Sequence, residues 1–365
     1  MALGRNPLER IKEGKVTKAT DEFFSSDVGK KKRTKHFVTE DILEDYKRRF
    51  EEALRKIEEL SKQKRKEGIT FEDVSSVIKR VFEGVTFPFK PSSYSKIIRG
   101  IQRLLYSDAV DIFGYDPKFE EFITPIFEFL YKKWWRVSLE GVENVPSEGP
   151  VILVSNHSGT LPVDGAMIKA GLLFEHPQKR DARPLAENFV YYLPFIGTIM
   201  NRVGGVRACP ENAEMLLERG DVVMVFPEGV KGIVKPFKYR YKLQRFGRGG
   251  FVRLAMKTRS KMVPVAVVGA EEVYPIIYKI DFLGKIFNIP TFPITLNMLL
   301  LGPLGWIPFP SKWYIKFGKP MDFSEFPPDA YNDDIIVNQI SQMVRSTIQD
   351  MLIEMLRKRR SIWFG

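Results

Sequence analysis

Three histidines, His36, His157 and His176, are the side chains of this 365-residue chain best suited to exchanging protons near neutrality. One of them sits where proton transfer to a substrate is feasible. His157 follows the apolar run Val151–Ser155 and opens the segment His157-Ser158-Gly159-Thr160-Leu161-Pro162-Val163-Asp164. If the run is a strand of an α/β sheet, His157 lies beyond its carboxyl end, where open sheets hold their ligands. Asp164 begins the next helical pattern and is close enough to accept a hydrogen bond from the imidazole. Such a pair fixes the tautomer and stabilises the imidazolium formed when the ring takes a proton. Ser158 adds a hydroxyl beside the pair.

Three further motifs lie downstream. Phe226-Pro227-Glu228-Gly229 closes a second apolar run, 221–226, and puts a carboxylate at another strand end. Gly229 permits a sharp turn there, and Glu228 is a candidate to orient a polyol hydroxyl. Gly204-Gly205-Val206-Arg207 combines two glycines, which let the backbone approach a ligand, with a guanidinium able to fork onto a phosphate. The run from Val263 through Pro264 to Val268 is a core strand by its length and apolar character. Each motif alone also has a plain structural meaning: a turn, an exposed arginine, a packed strand.

The elements that must position these residues are legible from periodicity. Segments 151–155, 221–226, 263–268 and 313–317 form short apolar runs; 164–174, 210–219, 250–258 and 335–359 carry helical spacing. Strand–helix alternation predicts an α/β domain with a mostly parallel central sheet flanked by helices. An N-terminal helical region precedes it. Apolar residues spaced three and four apart predict helices over 39–65 and 70–82, and Asp116-Pro117 is an N-cap pair opening a helix that reaches Trp135. The expected organisation is a loosely ordered basic start over 1–35, a helical region over 36–136 and the α/β domain over 137–365.

Composition narrows the function classes. The single cysteine, Cys209, excludes an internal disulfide and a cysteine-based metal site. The first 18 residues lack the apolar core of a signal peptide. The uncharged stretch 286–311 is interrupted by prolines and glycines, so it is expected to touch a membrane and not to cross it. The net charge of +12 is concentrated: from Gly229 to Ala270 there are eleven Lys and Arg and no acid. That block calls for an anionic partner or for solvent. An anionic membrane surface fits, at about 1 kcal/mol per basic residue near the lipid. The C-terminal run Arg357 to Arg360, followed by Ile362-Trp363-Phe364, is expected to contribute to the same surface. Without a zinc ligand set or a recognition motif, nucleic acid is not expected as a partner.

Taken in this order and spacing, the motifs resemble the glycerolipid acyltransferase superfamily, which includes lysophosphatidate and glycerol-3-phosphate acyltransferases. The likeness is greater to the branch related to monoacylglycerol and diacylglycerol acyltransferases. Gly141-Val142-Glu143-Asn144-Val145-Pro146 and Arg245-Phe246-Gly247-Arg248-Gly249-Gly250-Phe251 look like that branch, and the resemblance covers about 137–321. It implies an enzyme that moves a fatty acyl group from acyl-CoA, a co-substrate, to a glycerolipid or glycerol-phosphate hydroxyl; no cofactor is implied. His157 would be the base and Asp164 its orienting partner. Gly205, Arg207, Glu228, Gly229 and Lys231 would bind the acceptor or its phosphate, and Pro264 and Arg248 would face the acyl donor or the membrane. The chain would sit on the cytoplasmic face of a membrane as a peripheral or monotopic protein.

Two features depart from the superfamily's commonest pattern. Six residues separate His157 from Asp164 where four are usual, and Val230-Lys231 stands where Thr-Arg is frequent. Lysine cannot bind a phosphate bidentately, so the grip on a phosphorylated acceptor would be weaker. Two other readings are a non-catalytic lipid-binding scaffold and a serine-type lipid hydrolase using Ser158. The chain has no Gly-x-Ser-x-Gly elbow of the kind that hydrolase class uses.

Overall fold

A computed structural model describes residues 110–364 apart from 160, 193–195 and 287–288. The helices expected over 39–65 and 70–82, and the basic start of the chain, lie outside the described residues. Asp116 caps α1 (Pro117–Phe129) by accepting from the backbone N–H groups of Lys118 and Phe119, and α1 continues as a π-helical turn, Leu130–Trp134. Then come β1 (Ser138–Glu140), β2 (Val151–Ser155), α2 (Val163–Glu175), β3 (Ala182–Ala186), the short helices α3 (Asn188–Tyr192) and α4 (Ile196–Arg202), and β4 (Val206–Arg207). Next are α5 (Pro210–Glu218), β5 (Val222–Val225), α6 (Val230–Ile233), α7 (Gly250–Lys257) and β6 (Lys261–Val268). After β7 (Ile276–Ile280), α8 (Asp281–Ile286), β8 (Phe292–Thr295) and α9 (Leu296–Leu301), the chain ends with β9 (Tyr314–Phe317) and α10 (Asp334–Lys358).

Seven strands form one sheet in the order β1-β9-β6-β2-β5-β3-β4. All neighbours are parallel except β6 and β9. The fold is therefore α/β with a mostly parallel sheet. The alternation of side chains along the central strands explains why both faces must be covered. Ile152, Val154, Val223, Ala266 and Val268 point to one side, where α5, α7 and the 25-residue α10 pack. Val151, Leu153, Val222, Met224, Val263, Val265 and Val267 point to the other, where α2 and the end of α1 pack. Pro264 is buried in the middle of β6, opposite Val154. Its carbonyl accepts from the N–H of Gly318, just past the end of β9, so its missing N–H falls outside the β6–β9 ladder of Val265–Val268. The expected place of Pro264 at a donor or membrane surface is thus replaced by a place in the sheet core.

Residues 275–308 belong to a separate compact unit. Here β7 and β8 pair as an antiparallel hairpin, with Ile280, Leu283 and Ile294 in a small core and Thr295 capping α9. Much of the uncharged stretch predicted to touch a membrane is accordingly a folded hairpin with short helices, though Leu304 and Trp306 remain exposed. No described helix is long and apolar enough to cross a membrane.

In the larger unit, α1 buries Phe119 and leaves Phe122, Ile126 and Phe129 exposed on one face. Beyond it, Trp135 stacks on Trp313 with ring centroids 4.8 Å apart, both fully enclosed. Removal of such a ring costs about 3–5 kcal/mol through lost transfer energy and the cavity it leaves. Trp313→Ala is expected to lower the unfolding free energy by that amount in urea titrations; a change below about 1 kcal/mol would mean that the stack is not part of the packed core.

Candidate active site

The five strands β2 to β6 all point their carboxyl ends the same way, and His157 after β2 and Glu228 after β5 lie at that edge. His157 follows β2 directly. Its Nδ1 lies 2.7 Å from Asp164 Oδ2 at the start of α2. The six-residue gap is closed by a turn with Gly159 at φ +80°, and Asp164 also accepts from the N–H groups of Ser158 (2.9 Å) and Gly165 (2.8 Å). A carboxylate that takes two backbone donors is fixed in place. It makes Nδ1 the protonated nitrogen and leaves Nε2 with its lone pair free. The ring is only partly exposed and stacks on Phe226 at 4.3 Å, which sets its plane.

Glu228 is placed differently from the sequence expectation. Its carboxylate is buried and saturated by protein: Oε1 accepts from the N–H of His157 (3.0 Å) and Oε2 from the N–H of Gln244 (2.6 Å). Lys235 Nζ lies 3.6 Å from Oε2 and donates to Glu271 Oε1 at 3.0 Å. Glu228 therefore holds the backbone of the histidine loop and presents no oxygen to an acceptor pocket. Gly232 allows this packing, because a Cβ there would come within 2.9 Å of the Cβ atoms of both His157 and Glu228. Behind Glu271, Glu272 accepts from the Tyr241 hydroxyl and from Arg359 Nη1 (3.0 Å), tying the end of α10 to the same cluster. Arg359 thus belongs to the interior, and Trp363 packs against Phe309 at 5.9 Å, leaving Phe364 exposed at the C-terminal surface.

The other predicted residues divide. Gly229 lines the same cavity as His157 and has φ +55° with ψ −147°, a backbone region kept for glycine. Gly205 is buried in the turn after α4, where a Cβ would meet the carbonyl oxygen of Met200 at 2.8 Å; its smallness serves chain packing there. Arg207 is exposed and gives its Nε to Asn188 Oδ1 at 2.6 Å, while Lys231 and Arg248 are exposed outside the cavity. Of the eleven basic residues between Gly229 and Ala270, Lys235 is internal, Arg253 pairs with Asp334 and Lys257 with Glu214; the other eight are exposed. Ser158 is buried, its hydroxyl has no hydrogen-bond partner among the described residues, and it does not line the cavity, so no base activates it in this arrangement.

The cavity itself was not predicted. It holds about 1170 Å³ of empty space, open mouth included, and runs from His157 between α2, α3, α4 and the side of α1. Its wall is mostly apolar, with Phe127, Ala166, Leu173, Leu185, Val190 and Met200 among its residues. Four ionisable groups also reach it: His157, Glu187, and the pair Glu120 and Lys169. Lys169 bonds to Glu120 at 2.9 Å and to Asp181. A firmly held imidazole in the wall of a largely apolar hollow can deprotonate a hydroxyl whose partner carries a long hydrocarbon tail.

Burial raises Glu271 most; Lys235 and the Tyr241 N–H oppose that, and the Glu228 charge adds a little to it, leaving the carboxyl pushed up to about 7. The folded chain keeps this proton to higher pH than the unfolded chain, whose carboxyl gives it up near 4.5. Its contribution to stability is full below 4.5 and declines as pH rises toward about 7. Glu271→Gln is expected to remove that part of the decline, seen as a smaller pH-dependent fall in urea midpoint across the window than in the parent. An unchanged fall would place the titration elsewhere.

Comparison with known proteins adds family information to this geometry. The acyltransferase family profile matches residues 136–268. An uncharacterized protein of Mycobacterium tuberculosis is 43% identical over 265 residues, 72% of this chain and 74% of its own length. A Gallus gallus protein described as a DGAT1/2-independent enzyme synthesizing storage lipids is 23% identical, with 64% of each chain covered. The crystal structure of the 1-acyl-sn-glycerophosphate (LPA) acyltransferase PlsC of Thermotoga maritima superposes with a TM-score of 0.44 and 18% identity, over 74% of this chain and 90% of that one.

Proposed function

This chain belongs to the glycerolipid acyltransferase superfamily, and from that premise we propose that it transfers a fatty acyl group from acyl-CoA to a hydroxyl of a glycerolipid or glycerol phosphate, with His157 as general base. The observation that carries the reading is the His157–Asp164 pair, whose histidine lines the apolar cavity. With Nδ1–H held by Asp164, Nε2 of His157 takes the proton of the acceptor hydroxyl. The hydroxyl oxygen forms a bond to the thioester carbonyl carbon, and the resulting tetrahedral adduct collapses with loss of the C–S bond. The leaving thiolate takes the proton back from the imidazolium, so the products are the ester and free coenzyme A thiol. Asp164 remains a carboxylate throughout and stabilises the transient positive charge. No group of the protein is acylated.

The apolar lining supports a place in the cavity for a hydrocarbon chain. The exposed basic residues around 231–261 support an anionic neighbour for the donor or for the whole protein. Phe122, Ile126 and Phe129 on the outer face of α1, beside Phe127 in the cavity wall, support peripheral contact with a lipid surface. That contact would bring lipid substrates to the cavity without a spanning helix.

The test is product formation by purified protein from acyl-CoA and a panel of glycerol-based acceptors. His157→Ala is expected to lose about 10²–10⁴-fold in kcat with the same acceptor. Asp164→Asn is expected to lose activity too, because an amide can turn its NH₂ toward Nδ1 and reverse the tautomer. Undiminished turnover in His157→Ala would rule out its role as base.

A further inference from the structure

Of the ionisable groups that reach the cavity, Glu120 shares Lys169, at 2.9 Å, with Asp181, and His157 is held by Asp164 at 2.7 Å. Glu187, immediately after β3, is the remaining one. Its Oε1 accepts weakly from the N–H of Val230 at 3.3 Å. Among the described residues its Oε2 has no hydrogen bond and no cation forms an ion pair with the carboxylate.

Gly229 lies beside this carboxylate: a Cβ built there would be 2.8 Å from Glu187 Oε1. Gly229 and Glu187 share the cavity wall with His157. The basic residues that sequence alone assigned to phosphate do not answer Glu187: Arg207 is turned onto Asn188, and Lys231 is exposed outside the cavity. A carboxylate accepts hydrogen bonds and donates none. It therefore suits a free hydroxyl and opposes a phosphomonoester, which is itself anionic; Glu187 is exposed, so this repulsion acts between solvent-screened charges.

We propose that Glu187 is the acceptor-specificity residue of this site, accepting a hydrogen bond from an uncharged glycerol hydroxyl of the acceptor and disfavouring acceptors that carry a phosphomonoester there. The proposal rests on the acyl-transfer reading and narrows its acceptor class. No covalent step is added: Glu187 orients the acceptor, and His157 performs the proton transfer.

The test separates binding from transfer. Calorimetric titrations of the parent, Glu187→Gln and Glu187→Lys with monooctanoylglycerol and with its 3-phosphate are run with and without a non-hydrolysable thioether analogue of acyl-CoA. The parent is expected to bind the uncharged glyceride at least about tenfold more tightly than the phosphate. Glu187→Gln keeps an oxygen for the Val230 N–H and is expected to shrink that preference to within roughly threefold, and Glu187→Lys to reverse it. Equal or tighter binding of the phosphate by the parent, a preference unchanged by both substitutions, or no measurable binding of the glyceride in either condition overturns the assignment. The transfer assay with the same two acceptors tells the two proposals apart. Glu187-dependent binding without any ester product would refute acyl transfer and leave the specificity assignment standing. Efficient ester formation on the phosphate alone would do the reverse.

Discussion

The carboxylate of Glu228 joins the two loops on which the site depends. One oxygen takes the backbone N–H of His157 after β2, and the other takes that of Gln244, sixteen residues farther along the chain than Glu228 itself. Burial of two carboxylates, Glu228 and Glu271, around one ammonium, Lys235, leaves an excess of negative charge in a poorly solvated place. Backbone N–H groups of His157, Gln244 and Tyr241 offset part of that excess. Burial itself, far more than the charge of Glu228, raises the proton affinity of Glu271. Breaking such a buried pair from one side costs far more than its net worth, because the orphaned charge stays inside. The arrangement makes the position of His157 a property of the whole cluster.

The sheet supplies the second constraint. Because β2 lies between β5 and β6, all parallel, the histidine turn, the Pro227-Glu228 turn and the Glu271 turn emerge side by side. The helices on one face are packed closed around a continuous apolar core, while on the other face α2, α3 and α4 leave a cavity that reaches His157. A histidine at a strand end is thus rigid, and the helical walls of the cavity can vary without disturbing it. His157 is further locked by the Phe226 ring, which comes from the neighbouring strand end.

Much of this was legible in the sequence because it depends on local pattern. The runs at 151–155 and 263–268 fall within β2 and β6, and the spacing at 164–174, 250–258 and 335–359 matches α2, α7 and α10 to within one residue at either end. β3 escaped notice because Arg183 and Pro184 interrupt its apolar character; Arg183 is accommodated by an ion pair with Asp111 at 2.9 Å, a contact no periodicity reveals. β4 has two residues and no pattern of its own. Within the site, the His157–Asp164 proximity was readable from spacing. The direction of Glu228 was not, since a turn motif does not tell whether its carboxylate faces in or out. Lys235 and Arg359 were submerged in basic runs that imply a surface, yet both are internal and paired. Glu187 had no motif to mark it, and its significance comes from sharing the cavity wall with His157 without a cation of its own.

The central claim is direct transfer: His157 removes the acceptor proton, and the acyl group passes to the acceptor without stopping on the protein. The buried and unpartnered hydroxyl of Ser158 agrees with that and offers no nucleophile at the cavity. The most direct measurement is rapid mixing of the purified protein with acyl-CoA in the absence of acceptor, with thiol release followed through the first turnover. Direct transfer predicts no burst of thiol until a glycerol-based acceptor is added. A burst equal to the enzyme concentration without acceptor, accompanied by acyl label on the protein, would contradict it.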